Sequence, residues 1–193
     1  SRGFSFRFDA PLDMRMDQRG ELSASNVVNE YEETELALII SRNADERFAR
    51  RIAKAIVGAR PISTTTHLAE VIVAAIPAPA RRTGGHPAKR TFQAIRIEVN
   101  KEMEVLEAFL SDAAQCLKPG GRLVVISYHS LEDRLVKNYI RAGNASGEPE
   151  RDVFGKAEIP LKAITKKPIE ADAEELKINP RSRSARMRVA VKV

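Results

Sequence analysis

Apolar side chains recur at helical spacing through the first half of the chain. Six of them repeat every three or four residues: Leu36, Ile39, Ile40, Phe48, Ile52 and Ile56. This spacing places one apolar stripe on each of two successive helices. Asp45 is predicted to cap the second helix, and the Ser/Thr run 63–66 is predicted to open a third that ends at Pro77. The pattern therefore indicates an all-helical stretch from about residue 24 to residue 75.

A second helical stripe follows a basic, Pro/Gly-rich connection, "PAPARRTGGHPAKR", which is too broken to predict an element. The stripe comprises Ile95, Val99, Met103, Leu106, either Phe109 or Leu110, Ala113 and Leu117. It predicts one long helix, stopped by the Pro-Gly-Gly turn at 119–121. At the start of the chain, Phe4, Phe6 and Phe8 alternate in a segment that fits an edge strand or an ordered loop better than a helix.

The run "RLVVISY" at 122–128 shows no polar alternation, which is typical of a strand buried on both faces of a parallel sheet. Ser130 and Asp133 have the spacing of a capping box that opens the next helix. Helix, turn, buried strand and helix together predict an α/β unit. Residues 143–158 read as a surface loop, "PLKAITKKPI" as a short strand and "SARMRVAVKV" as a final edge strand.

Composition narrows the function classes. The 193 residues carry a net charge of +6, which suits an acidic partner such as nucleic acid but also an ordinary basic protein. Cys116 is the only cysteine, so an intrachain disulfide is excluded and a reducing compartment is expected. The three histidines and this thiol lack the spacing of a zinc site, and we predict no metal. No apolar run approaches the roughly 18 residues of a membrane-spanning helix.

Several residue groups could carry chemistry. A catalytic triad of His129, Ser130 and Asp133 is rejected, because helix capping already accounts for two of its members. His129 itself follows the strand, at the edge where open α/β sheets bind ligands. The loop "TGGHPAKRT" matches no phosphate-binding fingerprint, so phosphate contact and a plain connection both stay open.

Two further segments suggest nucleic acid. The segment "NPRSRSARMR" holds four arginines with no acid between them, which suits phosphate or, alternatively, a charged edge strand. Lys162, Lys166 and Lys167 add to the same third of the chain. Phe4, Phe6 and Phe8 with nearby arginines could stack on unpaired bases, although at least two of these rings are expected in the core.

Specific strings extend this picture. "RGFSFR", "PLDMRMD", "ERFARRIAKAI", "HPAKRTFQAIRIEVN", "LKPGGRLVVISYHSLEDRLVK", "ITKKPI" and "NPRSRSARMR" occur in this order over nearly the whole chain. Together they resemble the bacterial methyltransferases that modify N4 of a cytidine in small-subunit ribosomal RNA. The resemblance implies the α/β class, with an incomplete Rossmann-like class I methyltransferase sheet and an inserted helical lobe. It assigns residues 1–19 and 96–193 to the α/β domain and 20–95 to a helical substrate-recognition lobe.

The resemblance also implies S-adenosylmethionine as cofactor. The glycine-rich cofactor loop of that family precedes "RGFSFR", so the main cofactor residues are expected upstream of this chain, and the chain alone is expected to be inactive. No catalytic residue is assigned. The expected pocket-lining residues are Phe4, Phe6, Tyr128, His129 and Ser130.

Partners and alternatives follow from the same resemblance. The expected partner is small-subunit ribosomal RNA or the small ribosomal subunit, in the cytoplasm, and a homodimer is considered. The expected RNA contacts are Arg15, Lys89, Arg90, Arg96, Arg181, Arg183 and Arg186. Two other classes stay open: a non-enzymatic RNA-binding fragment, and a methyltransferase of similar fold that acts on a protein or small molecule.

Overall fold

The computed structural model describes residues 2–82 and 85–193, and these form two compact units, Ser1–Glu102 and Met103–Val193. The first unit is helical. Its helices are α1 (Ala24–Glu30), α2 (Glu33–Ala44), α3 (Ala49–Gly58), α4 (Thr65–Ala75) and α5 (Lys89–Asn100), with a short 3-10 turn at Ala78–Arg82. The last finding corrects the expectation that the Pro/Gly-rich connection lacks any element. Thr83 and Gly84 of the candidate phosphate loop lie outside the described residues.

Apolar side chains from all five helices form the core of the helical unit. Leu36 and Ile40 of α2, Ile52 and Ile56 of α3 and Ile95 of α5 are fully buried in one cluster. Burial of side chains of this size stabilises a fold by about 1.5–3 kcal/mol each. The stripes predicted for α2 and α3, and the α5 part of the second stripe, are therefore confirmed as core-facing.

The N-terminal segment is an ordered loop held against these helices, one of the two forms predicted. Met14 is fully buried, and Pro11 forms an isolated antiparallel bridge with Thr64. The side chain of Asn29 fixes the chain nearby, because its amide accepts from the Ile62 N–H at 2.8 Å and donates to the Ile62 carbonyl at 2.9 Å.

Two helix boundaries differ from the prediction. Asp45 ends α2 in the left-handed conformation, with φ of 48°, and does not cap α3, which begins at Ala49. The predicted long helix is broken at Lys101, where φ is 49°, and continues as α6 (Glu102–Cys116). The amide side chain of Asn100 donates to the Met14 carbonyl at 2.8 Å and accepts from the Met16 N–H at 2.7 Å. These bonds anchor the end of α5 to the N-terminal loop.

The second unit combines helices with a small sheet, which gives the predicted α/β class. Its elements after α6 are β1 (Arg122–Ser127), α7 (Ser130–Ala142), β2 (Leu161–Ala163), β3 (Ile169–Glu170), α8 (Ala173–Ile178), a 3-10 turn at Pro180–Ser184 and β4 (Arg186–Lys192). The strand order is β1-β4-β2, β3 also pairs with β4, and every pairing is antiparallel. Residues 143–158 form no named helix or strand, as predicted.

Two predictions about this sheet are wrong for the chain as described. β1 is buried on one face only, because Leu123 packs against α6 and α7 while Val124 and Ile126 are each 53% exposed. β4 was predicted as an edge strand, but it lies at the centre between β1 and β2. β1 pairs with β4 in an antiparallel register, from Arg122 opposite Val191 to Ser127 opposite Arg186.

The domain boundaries proposed from the sequence stay a prediction. In this structure the loop that includes residues 2–19 packs with the helical unit, through buried Leu12 and Met14. In the described part of the chain, no helix is both long and apolar enough to cross a bilayer.

Candidate functional site

The carboxyl end of β1 carries three of the predicted pocket residues, Tyr128, His129 and Ser130. His129 is the N-cap of α7, and its Nδ1 accepts from the Glu132 N–H at 3.3 Å. The Glu132 carboxylate accepts in return from the N–H of Tyr128 at 2.7 Å and of His129 at 3.2 Å. The capping box is therefore His129 with Glu132, which corrects the predicted pair of Ser130 and Asp133.

Asp133 serves a different purpose. Its two oxygens accept from Nε and Nη2 of Arg188 on β4, at 2.7 and 3.0 Å, and both side chains are about nine-tenths buried. Arg186 lies 3.6 Å from the same carboxylate. The Arg188 hydrogen bonds, and then the charges of both arginines, hold the pKa of Asp133 below its usual value. The ion pair joins α7 to the central strand.

The fit to S-adenosylmethionine can be tested at this end of β1. A nucleoside cofactor in an open α/β sheet uses a carboxylate to bind the ribose hydroxyls. Glu132 is engaged by two backbone amides, and Asp133 by Arg188. Neither carboxylate is free for a ribose, so the residues here do not form a cofactor site by themselves. The expectation that the main cofactor residues lie upstream stays a prediction.

Phe4 and Phe6, the other predicted pocket residues, belong to the helical unit and pack partly buried against its core. Phe6 stacks on the His86 ring with centroids 4.3 Å apart, and it meets Phe92 edge to face at 5.7 Å. The Arg2 guanidinium lies 5.3 Å from the centre of the Phe4 ring. Two of the three N-terminal rings thus contribute to packing, whereas Phe8 is 68% exposed.

The predicted RNA contacts of the helical unit differ in their availability. Arg15 forms a salt bridge with Asp13 at 2.8 Å, and this pairing lowers the pKa of Asp13 to about 2. Arg96 is held by Glu102 through two hydrogen bonds of 2.8 Å. Lys89, by contrast, is exposed at the first turn of α5.

Arg90 is also exposed, and its closest ion-pair contact is Glu46 at 4.0 Å. Lys89 and Arg90 therefore keep more freedom to meet a phosphate than Arg15 and Arg96 do.

The arginines of the run 181–188 also differ in how free they are to contact a phosphate. Arg181 and Arg183 are exposed in the 3-10 turn before β4. Arg186 lies between Asp133 and Glu170, 3.6 and 3.7 Å away. Arg188 is buried and neutralised by Asp133, so it joins the fold rather than a ligand surface.

A cavity of about 480 Å³ lies beside β2, in the second unit, and we call it the basic cavity. Its lining residues are Lys137, Ile140, Arg141, Ile159, Leu161, Lys162, Ala163, Thr165, Lys166, Arg188 and Val193. The sequence had marked Lys162 and Lys166 as part of a basic region but missed Lys137 and Arg141. Their four-residue spacing on α7 could have indicated a shared helix face.

This chain is thus an α/β protein with a basic cavity, and the residues just after β1 cap the helix that follows. The MraW methylase family model matches residues 1–193, and the chain belongs to that family.

Three curated relatives, each named "Ribosomal RNA small subunit methyltransferase H", are similar to it. The relative from Heliobacterium mobile is 52% identical over 200 residues, covering 100% of this chain and 64% of the relative. That from Symbiobacterium thermophilum is 53% identical over 198 residues, covering 100% and 62%. That from Trichormus variabilis is 51% identical over 191 residues, covering 99% and 58%. The chain therefore spans about three fifths of the length of these relatives.

Proposed function

We propose that the chain is the substrate-facing part of an S-adenosylmethionine-dependent methyltransferase that modifies N4 of a cytidine in small-subunit ribosomal RNA. The observation that carries this proposal is the match over the whole chain, at 50–53% identity, to relatives named as small-subunit ribosomal RNA methyltransferases. The partner is small-subunit ribosomal RNA or the small ribosomal subunit, and the place of action is the cytoplasm. The net charge of +6 is consistent with a polyanionic partner.

The reaction requires the cytosine amine to reach the methyl group of the bound cofactor. The protein's main contribution is to position the two reactants, and the base has to leave its stack to be reached. Exposed cations such as Lys89, Arg181 and Arg183 would hold the RNA backbone. Glu132 and Asp133 are both hydrogen-bonded within the fold, where they hold the start of α7 and its link to β4.

A chimera tests the proposal. The matched segment of the Heliobacterium mobile relative is replaced by this chain, and the chimera, the relative, the relative without that segment and the chain alone are compared. Each is incubated with tritiated S-adenosylmethionine and unmethylated small ribosomal subunits, and labelled nucleosides are identified by mass. N4-methylcytidine from the relative and the chimera only is the expected result. Methyl transfer by the chain alone would refute its expected inactivity.

A chimera that folds and binds ribosomal RNA but transfers no methyl group would overturn the enzymatic proposal. It would favour the second candidate, an RNA-binding module without catalysis, which the basic cavity and the exposed arginines support. Label on a protein or small molecule, with none on RNA, would indicate a methyltransferase of similar fold with a substrate other than RNA. A homodimer also stays a prediction, and sedimentation of the purified chain tests it.

A further inference from the structure

The basic cavity is lined by residues of α7, β2 and β4 and of the segments next to β2 and β4, and four of its five cations come from α7 and the β2 segment. Lys137 and Arg141 lie one turn apart on α7, whereas Lys162 lies on β2 and Lys166 follows that strand. Four lining cations thus face the cavity from two sides. Half-buried Ile159 and exposed Ala163 give it an accessible apolar floor, and Ile140 and Leu161 are buried beneath this floor.

The cavity is strongly cationic. Its lining includes no Asp or Glu side chain among the described residues, and Arg188 is the one lining cation that a carboxylate neutralises. In residues 2–82 and 85–193, neither Lys137, Lys162 nor Lys166 has an acid within ion-pair distance. Arg141 donates to the Gly147 carbonyl at 2.6 Å, which fixes its position without changing its charge. An anion entering here would find cations not yet paired.

Size and polarity indicate the chemical class of the occupant. A volume of about 480 Å³ falls within the usual range of small-ligand cavities, roughly 300–1,000 Å³. An apolar floor accommodates a flat base, and lysine ammonium groups bind phosphates as point charges. Cations from α7 and from the β2 segment can contact more than one phosphate of a nucleotide chain.

We propose that the basic cavity holds an unstacked nucleotide of a single-stranded RNA segment. The base lies on the apolar floor of Ile159 and Ala163, and the neighbouring phosphates contact Lys137, Lys162 and Lys166. The choice of RNA as the source of the nucleotide rests on the proposed function. The site is a contact for substrate RNA separate from the end of β1, and it takes no part in methyl transfer.

The first measurement is the salt dependence of RNA binding by the full 193-residue chain. A short fluorescein-labelled single-stranded oligoribonucleotide is titrated by fluorescence anisotropy with the unsubstituted chain and with the triple variant Lys137→Ala, Lys162→Ala and Lys166→Ala. Each lost phosphate contact lowers the slope of log affinity against log salt by about 0.7. Three lost contacts would therefore reduce the loss of affinity between about 50 and 200 mM salt by roughly 20-fold.

A matched control removes the same charge elsewhere in the second unit. Lys118, Lys156 and Lys177 are exposed and lie outside the cavity lining, and their combined change to Ala should leave the slope near that of the unsubstituted chain. Circular dichroism checks that both triple variants fold. Equal slopes for the two variants would show that the cavity lysines act only through overall charge, and would overturn the proposal.

A second variant tests the base itself. Ala163→Leu fills the floor without altering charge, and the RNA probe now carries 2-aminopurine, whose fluorescence rises when a base leaves its stack. The unsubstituted chain should raise this fluorescence, and Ala163→Leu should lose the rise while keeping the salt slope. An identical rise with both proteins would overturn the assignment of a base to the cavity.

The source of the nucleotide is distinguished by competition. Uridine monophosphate that binds to saturation and is lost in the triple lysine variant, with no binding of the RNA probe, would identify a site for a free nucleotide and overturn the choice of RNA. These measurements use no cofactor. If the chimera fails to transfer a methyl group, the RNA-binding results remain valid. If the cavity does not bind RNA, the proposal of methyl transfer is unaffected.

Discussion

The buried ion pair between Asp133 and Arg188 gives the sharpest stability prediction. Arg188 donates two hydrogen bonds of 2.7 and 3.0 Å to Asp133, and each side chain is about nine-tenths buried. Both charges have therefore lost most of their hydration, and removing one leaves the other without compensation. Such losses destabilise proteins by about 3–5 kcal/mol. We expect Asp133→Leu to fall in this range.

In a double-mutant cycle of this pair, the change at Arg188 should lower the free energy of unfolding by less than Asp133→Leu does. Arg188→Met leaves Asp133 a neighbour, because Arg186 lies 3.6 Å away and is 44% exposed. We expect a loss near the lower end, about 3 kcal/mol, and a double variant close to the unsubstituted chain, since an apolar pair of similar volume is often neutral. The coupling energy, which is the sum of the two single losses minus that of the double variant, would then be about 6–8 kcal/mol.

Urea unfolding followed by circular dichroism measures these free energies, and hydrogen exchange of the amides in α7 and β4 reports the local effect. The exposed pair of Asp17 and Arg19, 2.8 Å apart, is the control, and Asp17→Leu should change nothing measurable. A loss below about 1 kcal/mol for Asp133→Leu, or a double variant as unstable as the sum of both changes, would refute the reasoning.

Three further predictions concern single positions. Asp13, whose pKa is about 2, contributes stability that is present above about pH 4 and lost as the pH falls through about 2. Asp13→Asn should therefore make the free energy of unfolding depend less on pH in this range. An unchanged pH profile would contradict this. Gly3→Ala should destabilise more than Gly120→Ala in thermal unfolding, because both have φ near 80° but only at Gly3 would a Cβ lie 2.3 Å from a backbone oxygen; equal losses would contradict the clash. Asn29→Asp should cost about 1–3 kcal/mol in urea unfolding, since it loses the donor to the Ile62 carbonyl, and a neutral result would contradict that bond.

The sequence predicted the helices and strands better than their boundaries. The apolar stripes located the core of α2, α3 and α5, and the run at 122–128 located β1. The sequence does not show that the helix is broken at Lys101, because the apolar spacing continues through this residue. The contacts that hold the preceding residue come from a distant part of the sequence. Asn100 is held by the backbone of Met14 and Met16, which lie more than eighty residues earlier.

Contacts distant in sequence also explain the errors at the candidate site. Asp133 has the spacing of a capping residue, and only the pairing of β1 with β4 brings Arg188 to it. The arginine run looked uniform, yet Arg188 on β4 is buried, whereas Arg181 in the 3-10 turn before that strand is exposed. Only the lysines near β2 could be predicted as part of a basic region. Lys137 of α7 could not, because only the folded structure brings it to the same cavity as Lys162 of β2.

The strand order β1-β4-β2 has a consequence for synthesis on the ribosome. β1 and β2 each pair with β4, which is translated after both of them. Until residues 186–192 have left the exit tunnel, β1 and β2 lack this common partner, although α7 can already be helical. Such non-local pairing is slow to form and leaves apolar strands exposed in the meantime. A premature stop just before Arg186 would thus leave β1 and β2 without their common partner and prevent assembly of the whole sheet.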